Sequence, residues 1–234
     1  MTTALILSGG TGVRMGGDIP KQYRKVKGRP VLVYCIRSLA AHQEIDEIQI
    51  VAAREWRDEI TAWLREGGWE EKFAGFSDPG ANRQLSIYNG LTDIRIRGTD
   101  DDYVFIHDAA RPLLTLQMIS SCLEAVRGHD GVLPVLRMKD TIYESRDGRT
   151  ISSLLDRGCL FAGQAPEVFR LGPYYEANQR LLPDEILHVN GSTEPAVMAG
   201  LDIVMIPGDE GNFKITTMAD LERFERIMDN HEKQ

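Results

Sequence analysis

The sequence predicts an α/β protein with a single Rossmann-like domain, in which a mainly parallel sheet carries helices on both faces. Short apolar runs rich in β-branched residues recur along the chain, and segments with helical spacing lie between them. Apolar runs with little polar alternation are typical of strands buried on both faces, and strands that alternate with helices form a parallel sheet. The chain has 234 residues, of which 42% are hydrophobic, which suits one domain.

The predicted elements follow one another in a regular order. The predicted strands are residues 4–7, 48–52, 103–107, 132–135 and 203–206. The spacing of apolar residues predicts helices around residues 31–39, 85–94, 119–126 and 221–228. Because no internal repeat or low-complexity linker interrupts this order, we expect residues 1–234 to form one domain.

Residues 137–157 break the alternation and predict a protruding β-hairpin arm. The pair Asp147-Gly148 lies between two runs of β type, and Asp-Gly is a strong hairpin signal. Both runs are half polar, so the hairpin does not belong to the core. Either a second copy of the chain covers it, or it packs as an edge hairpin on its own domain, and the pattern leaves both open.

Charge and cysteine content exclude several classes of protein. The net charge is −8 and the pI is near 5.2, which argues against binding to nucleic acid or to an anionic membrane. Three scattered cysteines offer neither zinc spacing nor a disulfide framework. No signal peptide or membrane-spanning segment is recognisable. We therefore expect a cytoplasmic protein with reduced thiols.

A glycine-rich loop, residues 8–17, follows the first predicted strand. Glycine-rich turns in this place let backbone N–H groups approach phosphates closely. Two familiar phosphate loops do not match. Met15 stands where a dinucleotide-binding loop needs glycine or alanine, and the Pro-Lys-Gln sequence around Lys21 does not fit a P-loop.

The glycine loop also brings two cations, Arg14 and Lys21, to one small region. Fixed cations suit the stabilisation of charge on a triphosphate that is attacked at phosphorus. The alternative is a flexible glycine turn with two solvated cations. The unusual order of these elements favours phosphate binding.

A second motif runs from Gly80 through Arg83 to Ser86. A glycine turn, a guanidinium and a hydroxyl at the start of a helix can read the carbonyl and amino groups of cytosine. An ordinary helix N-cap explains the same pattern.

A third motif follows the predicted strand 103–107 and contains Asp108 and Arg111. Open α/β sheets place ligands at the carboxyl ends of parallel strands, where a carboxylate is well placed for Mg²⁺ that bridges phosphates. The alternative is a structural Asp–Arg pair that ends in a proline turn. His107, beside them, is expected to be structural.

Together these motifs make residues 5–224 resemble the sugar-phosphate nucleotidyltransferase superfamily. Within it, the sequence is similar to the cytidylyltransferases that act on 2-C-methyl-D-erythritol 4-phosphate and D-ribitol 5-phosphate. The resemblance implies Mg²⁺ at Asp108, CTP as the donor, a polyol phosphate as the acceptor, and a homodimer formed through the arm.

The resemblance also implies a role for each candidate residue. Catalytic roles fall on Arg14, Lys21 and Lys214. Nucleotide binding falls on Leu7, Ser8, Gly9, Gly10, Gly12, Gly80, Arg83, Ser86 and Asp108. Binding of the acceptor falls on Arg111, Thr141 and Arg157, partly in the neighbouring subunit.

Two departures from the family pattern fall near the expected acceptor site. The usual Thr-Pro-Gln-x-Phe reads Ala165-Pro166-Glu167-Val168-Phe169, so the acceptor-contacting hydroxyl is missing. The preceding Gly163-Gln164 pair resembles the ribitol-phosphate branch, and Gly191 lies where relatives have aspartate. The identity of the acceptor therefore stays open, whereas the reaction class does not depend on these positions.

The predicted reaction is the transfer of CMP from CTP to a polyol phosphate with release of pyrophosphate. An acceptor phosphate that is largely dianionic needs no general base, so catalysis is mainly alignment and charge neutralisation. One alternative is a nucleotidyltransferase of the same fold that uses another nucleoside triphosphate or sugar-phosphate acceptor. Another is a CTP-binding sensor module without turnover.

Overall fold

A computed structural model describes residues 1–10 and 19–231 of the protein, and these residues form an eight-stranded central sheet. Its order is β10-β7-β11-β6-β1-β4-β5, and β12 also pairs with β7. Its strands are β1 (Thr2–Leu7), β4 (Glu47–Val51), β5 (Phe73–Ser77), β6 (Tyr103–Asp108), β7 (Gly131–Arg137), β10 (Phe161–Gly163), β11 (Glu167–Arg170) and β12 (Ile203–Pro207). Two two-stranded ribbons add β2 (Lys25–Val26) with β3 (Arg29–Pro30), and β8 (Ile142–Glu144) with β9 (Ser153–Leu155).

Helices lie on both faces of the sheet, as the sequence predicted. They are α1 (Val31–Ala41), α2 (Arg57–Gly67), α3 (Arg83–Arg95), α4 (Leu116–Ala125), α5 (Leu171–Gln179), α6 (Glu194–Met198) and α7 (Met218–His231). Adjacent residues of β1 point to opposite faces, and the two faces carry separate clusters. Ile6 packs with Leu32 and Phe105 on one face, whereas Leu5 packs with Ile87 and Ile106 on the other. The predicted α/β fold is therefore confirmed.

The register of the parallel strands brings their carboxyl ends to one edge of the sheet. Leu7, the last residue of β1, pairs with Val51 of β4 and with Asp108 of β6. The segments that follow these three strands must therefore converge. This edge is where an open α/β sheet binds ligands.

Each predicted strand and helix is present, but the sheet contains elements that the sequence patterns did not predict. β10 and β11 run antiparallel to their neighbours, which makes the sheet mixed. β5 was missed because Gly75 interrupts its apolar run and because most of this edge strand is only partly buried. α2 was missed because only Ile60 and Leu64 of this helix are buried.

The predicted hairpin forms at β8 and β9, with Tyr143 paired opposite Leu154. These two side chains are 55% and 66% exposed, and Ile151 beside them is 67% exposed. The strands are shorter than the sequence suggested, and Asp147 organises the connecting loop by accepting hydrogen bonds from the amides of Arg149 and Thr150. Dimerisation through this arm stays a prediction.

The structure also bears on the predictions about cysteines and membrane-spanning segments. All three cysteines are free thiols, of which Cys35 and Cys122 are buried and Cys159 is exposed. Among the described residues, no helix is both long enough and apolar enough to span a membrane.

Candidate active site

A cleft of about 490 Å³ opens at the carboxyl edge of the sheet, where β1, β4 and β6 end. Several residues that were predicted from the sequence as site residues line this cleft, although they come from distant parts of the chain. They are Leu7, Gly9, Gly10, Lys21, Gly80, Arg83, Ser86, Asp108 and Lys214. The fold therefore brings the glycine loop, the turn before α3, the end of β6 and the segment before α7 into one site.

Asp108 is the electrostatic centre of the cleft. Its Oδ1 lies 3.1 Å from Nε of Arg83, and its Oδ2 lies 2.9 Å from Nζ of Lys214 and 3.6 Å from Nε of Arg111. Burial favours the neutral acid, but the charges of Arg83, Lys214 and Arg111 outweigh it and hold the pKa of Asp108 well below its usual range. One carboxylate thus fixes three cations beside the cleft.

The start of the glycine loop is fixed by a short 3₁₀ turn at Lys21–Tyr23. The side-chain amide of Gln22 donates to the carbonyl oxygens of Ser8 and Gly10, both at 2.7 Å. The Tyr23 hydroxyl donates to the Ser8 carbonyl at 2.9 Å. These bonds place Lys21, the residue before Gln22, at the wall of the cleft.

Within the loop, Gly9 lies so close to Pro79 that an added Cβ would approach Cβ of Pro79 to 2.6 Å. Ser8 is buried, and its hydroxyl donates to the Tyr23 hydroxyl at 3.0 Å. Its side chain therefore stabilises the start of the loop. The predicted sites at Gly12 and Arg14 lie outside the described residues.

The turn from Gly80 to Ser86 is closed by its own polar groups. Asn82 caps α3, because its Oδ1 accepts a hydrogen bond from the Leu85 amide at 2.7 Å. The Ser86 hydroxyl donates to the Asn82 carbonyl at 2.8 Å and accepts from the Gly80 amide at 2.9 Å. Ser86 therefore shapes the turn, while Arg83 points to Asp108. The structure thus confirms the helix N-cap and places the Arg83 guanidinium at the cleft, whereas recognition of cytosine stays a prediction.

A network of buried side chains holds the segment that carries Lys214. The Gln164 amide donates to the Asp209 carbonyl at 2.8 Å, and the Asn212 amide donates to the Ala165 carbonyl at 2.9 Å. Arg111 donates to the Asn212 carbonyl at 2.8 Å. This network ties the end of β6, the segment before β11 and the segment before α7 together, and it sets the position of Lys214.

His107 supports the same network from the end of β6. Its Nε2 lies 3.0 Å from the Arg111 carbonyl oxygen, and burial lowers the pKa of the ring to about 4. The imidazole is therefore neutral at pH 7. This agrees with the structural role expected from the sequence.

Two predicted acceptor residues do not line the cleft. Thr141 and Arg157 are exposed at the base of the arm, where Arg157 donates to the Lys139 carbonyl at 2.7 Å. Arg111 lies next to Asp108 but is not part of the cleft wall. Within one copy of the chain, the described residues that line the cleft come together without Thr141 and Arg157, and the acceptor-binding role of these two residues stays a prediction.

Comparison with known proteins agrees with this geometry. The model of one protein family, described as "IspD: 2-C-methyl-D-erythritol 4-phosphate cytidylyltransferase", matches residues 2–230. The chain belongs to the IspD family. The 2-C-methyl-D-erythritol 4-phosphate cytidylyltransferase of Rubrobacter xylanophilus is 36% identical, over 98% of the chain and 96% of the relative.

Other relatives in the IspD family are longer. The bifunctional enzyme IspD/IspF of Maricaulis maris is 35% identical, and the match covers 95% of the chain but 56% of the relative. The chain therefore spans about half the length of such bifunctional relatives. Among solved structures, 4-diphosphocytidyl-2C-methyl-D-erythritol synthase from Anaerococcus prevotii has a TM-score of 0.82 at 22% identity, covering 97% of this chain and 98% of that one. It has the same fold.

Sequence reasoning missed several residues that organise the IspD-family cleft. They are Gln22, Asn82, Gln164 and Asn212. A signal existed only for Asn82, whose position just before a helix is typical of an N-cap. The partners of Gln164 and Asn212 are distant in sequence, so no local pattern reveals them.

The residues of the cleft are compatible with Mg²⁺ that is bound mainly by phosphates. Asp108 is the one carboxylate among the described residues that line the cleft. No group of three metal-ligating side chains occurs in residues 1–10 and 19–231. Mg²⁺ commonly binds one or two carboxylates together with substrate phosphates and water, and a single carboxylate meets that requirement.

Proposed function

We propose that this protein transfers CMP from CTP to 2-C-methyl-D-erythritol 4-phosphate and releases pyrophosphate. The observation that carries the proposal is that one cleft at the carboxyl edge of the sheet is lined by Lys21 and by Asp108 with its ion-pair partners Arg83 and Lys214. Membership of the IspD family supports this reaction class, and the printed name of the Rubrobacter xylanophilus relative supports this acceptor.

In the proposed reaction, an oxygen of the acceptor phosphate attacks the α-phosphorus of CTP. The bond from this phosphorus to the bridging oxygen of the β-phosphate breaks, and pyrophosphate takes the electron pair. Negative charge accumulates around the α- and β-phosphates. Fixed cations in a cleft, such as Lys21 and Lys214, stabilise that charge without reorganisation.

The remaining roles follow from position. Backbone groups of Gly9 and Gly10 border the triphosphate side of the cleft, and Arg14 is proposed to add a further cation there. Mg²⁺, when bound at Asp108 and the phosphates, would neutralise part of the triphosphate charge. The turn from Gly80 to Ser86 is proposed to border the cytosine base.

The family relatives favour methylerythritol phosphate over ribitol phosphate as the acceptor. The sequence feature that resembled the ribitol-phosphate branch was the Gly163-Gln164 pair. Gln164 is buried, and its side chain bonds to the backbone of Asp209 and Asn212. This residue therefore supports the Lys214 segment, and its presence gives no reason to prefer ribitol phosphate.

A substrate panel tests the proposal. The protein is incubated with Mg²⁺ and each of CTP, UTP, GTP and ATP, with 2-C-methyl-D-erythritol 4-phosphate or D-ribitol 5-phosphate, and pyrophosphate is measured. We expect rapid release only with CTP and methylerythritol phosphate. Turnover confined to ribitol phosphate or to another nucleotide would contradict the stated specificity. Binding of CTP with no pyrophosphate in any mixture would support a sensor module.

We also propose that the protein is a homodimer in which the arm of one subunit contacts the other. The arm exposes Tyr143, Ile151 and Leu154, and apolar side chains on a thin ribbon gain stability when a partner covers them. Arg157 and Thr141 at the base of the arm would then reach the acceptor phosphate in the partner's cleft.

Replacing Leu154 with glutamate should weaken this dimer, because a charge would enter the apolar contact. We expect sedimentation velocity to show a shift from dimer to monomer at micromolar concentration, with a higher KM for the acceptor. The control is Ile96→Glu, at a residue that is 82% exposed and lies away from the arm. An unchanged dimer in the Leu154 variant would count against the arm as the contact surface.

A further inference from the structure

Gln22 uses both hydrogens of its side-chain amide on the glycine loop. The side chain is 3% exposed, and its Nε2 lies 2.7 Å from the carbonyl oxygen of Ser8 and 2.7 Å from that of Gly10. Both of these neighbours are acceptors, so the NH₂ group of the amide must face them. One buried side chain therefore directs two carbonyl groups of the same loop towards a single atom.

The Gly10 carbonyl depends on this bond more than the Ser8 carbonyl does. The Ser8 carbonyl has a second donor, the Tyr23 hydroxyl at 2.9 Å. Among the described residues, no atom lies within 4 Å of the position that a Cβ of Gly10 would occupy, so packing on that side does not restrain the residue. Glycine also has the widest range of backbone conformations, so a peptide group beside Gly10 turns at little cost unless a hydrogen bond holds it.

The direction of the carbonyl groups also sets the direction of the loop amides. In a planar trans peptide, the C=O and N–H groups point in opposite directions. Because the Ser8 carbonyl points to Gln22, the amide of Gly9 points away from Gln22. Within residues 1–10 and 19–231, the amides of Gly9 and Gly10 donate no hydrogen bond, although both residues line the cleft. Backbone donors of this kind suit an anionic ligand.

We infer that Gln22 is a positioning residue that keeps the carbonyl oxygens of the glycine loop turned away from the triphosphate of CTP. A carbonyl oxygen carries partial negative charge and repels a phosphate, whereas an amide N–H attracts it. Lys21 attracts the nucleotide by its charge, but the neutral Gln22 determines which end of each peptide dipole faces the nucleotide. The inference rests on the proposed use of CTP.

The inference predicts a loss of affinity that depends on the number of phosphates in the nucleotide. Gln22→Met keeps the length of the side chain but removes the amide, so the Gly10 carbonyl becomes free to turn towards the cleft. With Mg²⁺ and without an acceptor, the Kd for CTP should rise about tenfold to 100-fold, the effect of losing a hydrogen bond to a charged group. CMP lacks the β- and γ-phosphates, so its Kd should change less than about threefold. Isothermal titration calorimetry measures both constants.

The matched control for a buried glutamine is Gln49→Met. Gln49 lies on β4, is 2% exposed and donates to the Ser77 hydroxyl at 2.9 Å, but it does not line the cleft. This variant should lower the melting temperature, yet it should not change the ratio of the two Kd values. Gln22→Asn is a second variant at the site itself. Its amide is one methylene group shorter and cannot reach both carbonyls, so CTP should again lose more affinity than CMP.

An equal change in the Kd values for CTP and CMP would overturn the inference, because the loss would then not arise at the phosphates. An unchanged Kd for CTP in Gln22→Met would overturn it as well, and Gln22→Asn decides by the same criterion if Gln22→Met does not fold. Failure of the proposed function is distinguishable. A native protein that binds CTP but releases no pyrophosphate with methylerythritol phosphate would refute the transfer, and the comparison of CTP with CMP would still decide the role of Gln22.

Discussion

Lys21→Ala should lower kcat for CMP transfer by about 100-fold to 1000-fold, the range found when one fixed donor to a developing anion is removed. Lys21 lines the cleft beside Gly9 and Gly10, and the neighbouring Gln22 fixes its turn to the loop. Lys21 therefore borders the region in which we propose that the triphosphate lies. The KM for CTP should rise much less than kcat falls, because the other cations still attract the nucleotide. Initial rates of pyrophosphate release measure both constants.

The matched control for this variant is Lys25→Ala. Lys25 lies four residues further along, is exposed and lines a different groove. Both variants lose one positive charge, but only Lys21 borders the cleft. We expect Lys25→Ala to keep turnover within about twofold, because exposed charges outside the site are screened by salt. A Lys21→Ala protein with native turnover and native melting temperature would refute the role of Lys21.

Asp108→Asn should be the most damaging single change in the cleft. The variant keeps the shape of the side chain but leaves Arg83, Arg111 and Lys214 next to one another without their shared counter-charge. Breaking a buried ion pair by removing one partner typically lowers the free energy of unfolding by about 3–5 kcal/mol. Because the three cations are partly exposed, we expect a loss near the lower end of this range. Turnover should also fall by at least about 100-fold, because three side chains lose their fixed positions.

The pH dependence of stability gives Asp108 a second signature. The pKa of Asp108 is lower in the folded protein than in the unfolded chain, so its contribution is present above the unfolded value of about 3.9. That contribution is lost as the pH falls towards the folded value. We expect the difference in unfolding free energy between the native protein and Asp108→Asn to be constant above about pH 5 and to shrink in acid.

The control for Asp108→Asn lies at the opposite end of β6. Asp102 immediately precedes this strand and binds the N-terminal ammonium group at 2.6 Å. Asp102→Asn removes an equivalent charge from the same sheet and should lower stability, yet turnover per folded molecule should stay native. A native kcat in Asp108→Asn would remove Asp108 from the mechanism.

The sequence contained enough information for the parallel part of the fold and for the centre of the site. Strands such as β1 and β6 are nearly uniform apolar runs, which is typical of a parallel sheet with helices packed on both faces. Asp108 ends such a run, and the resemblance to the family placed Lys214 near it. Both predictions depend on local features, namely strand ends and short motifs.

The parts that sequence reasoning missed depend on contacts between distant segments. Gln164 acquires its role only when Asp209, which follows β12, comes to lie beside it. Local patterns do not reveal contacts between segments that are distant in the sequence.

The proposed transfer of CMP is tested by following the α-phosphorus of CTP. The native protein, Mg²⁺ and 2-C-methyl-D-erythritol 4-phosphate are mixed with CTP that carries radioactive phosphorus at the α position, and the products are separated by chromatography. We expect all transferred label to enter a CDP-linked methylerythritol, in a one-to-one ratio with pyrophosphate. Label that stays in CTP, or that appears in CDP with release of inorganic phosphate, would contradict it.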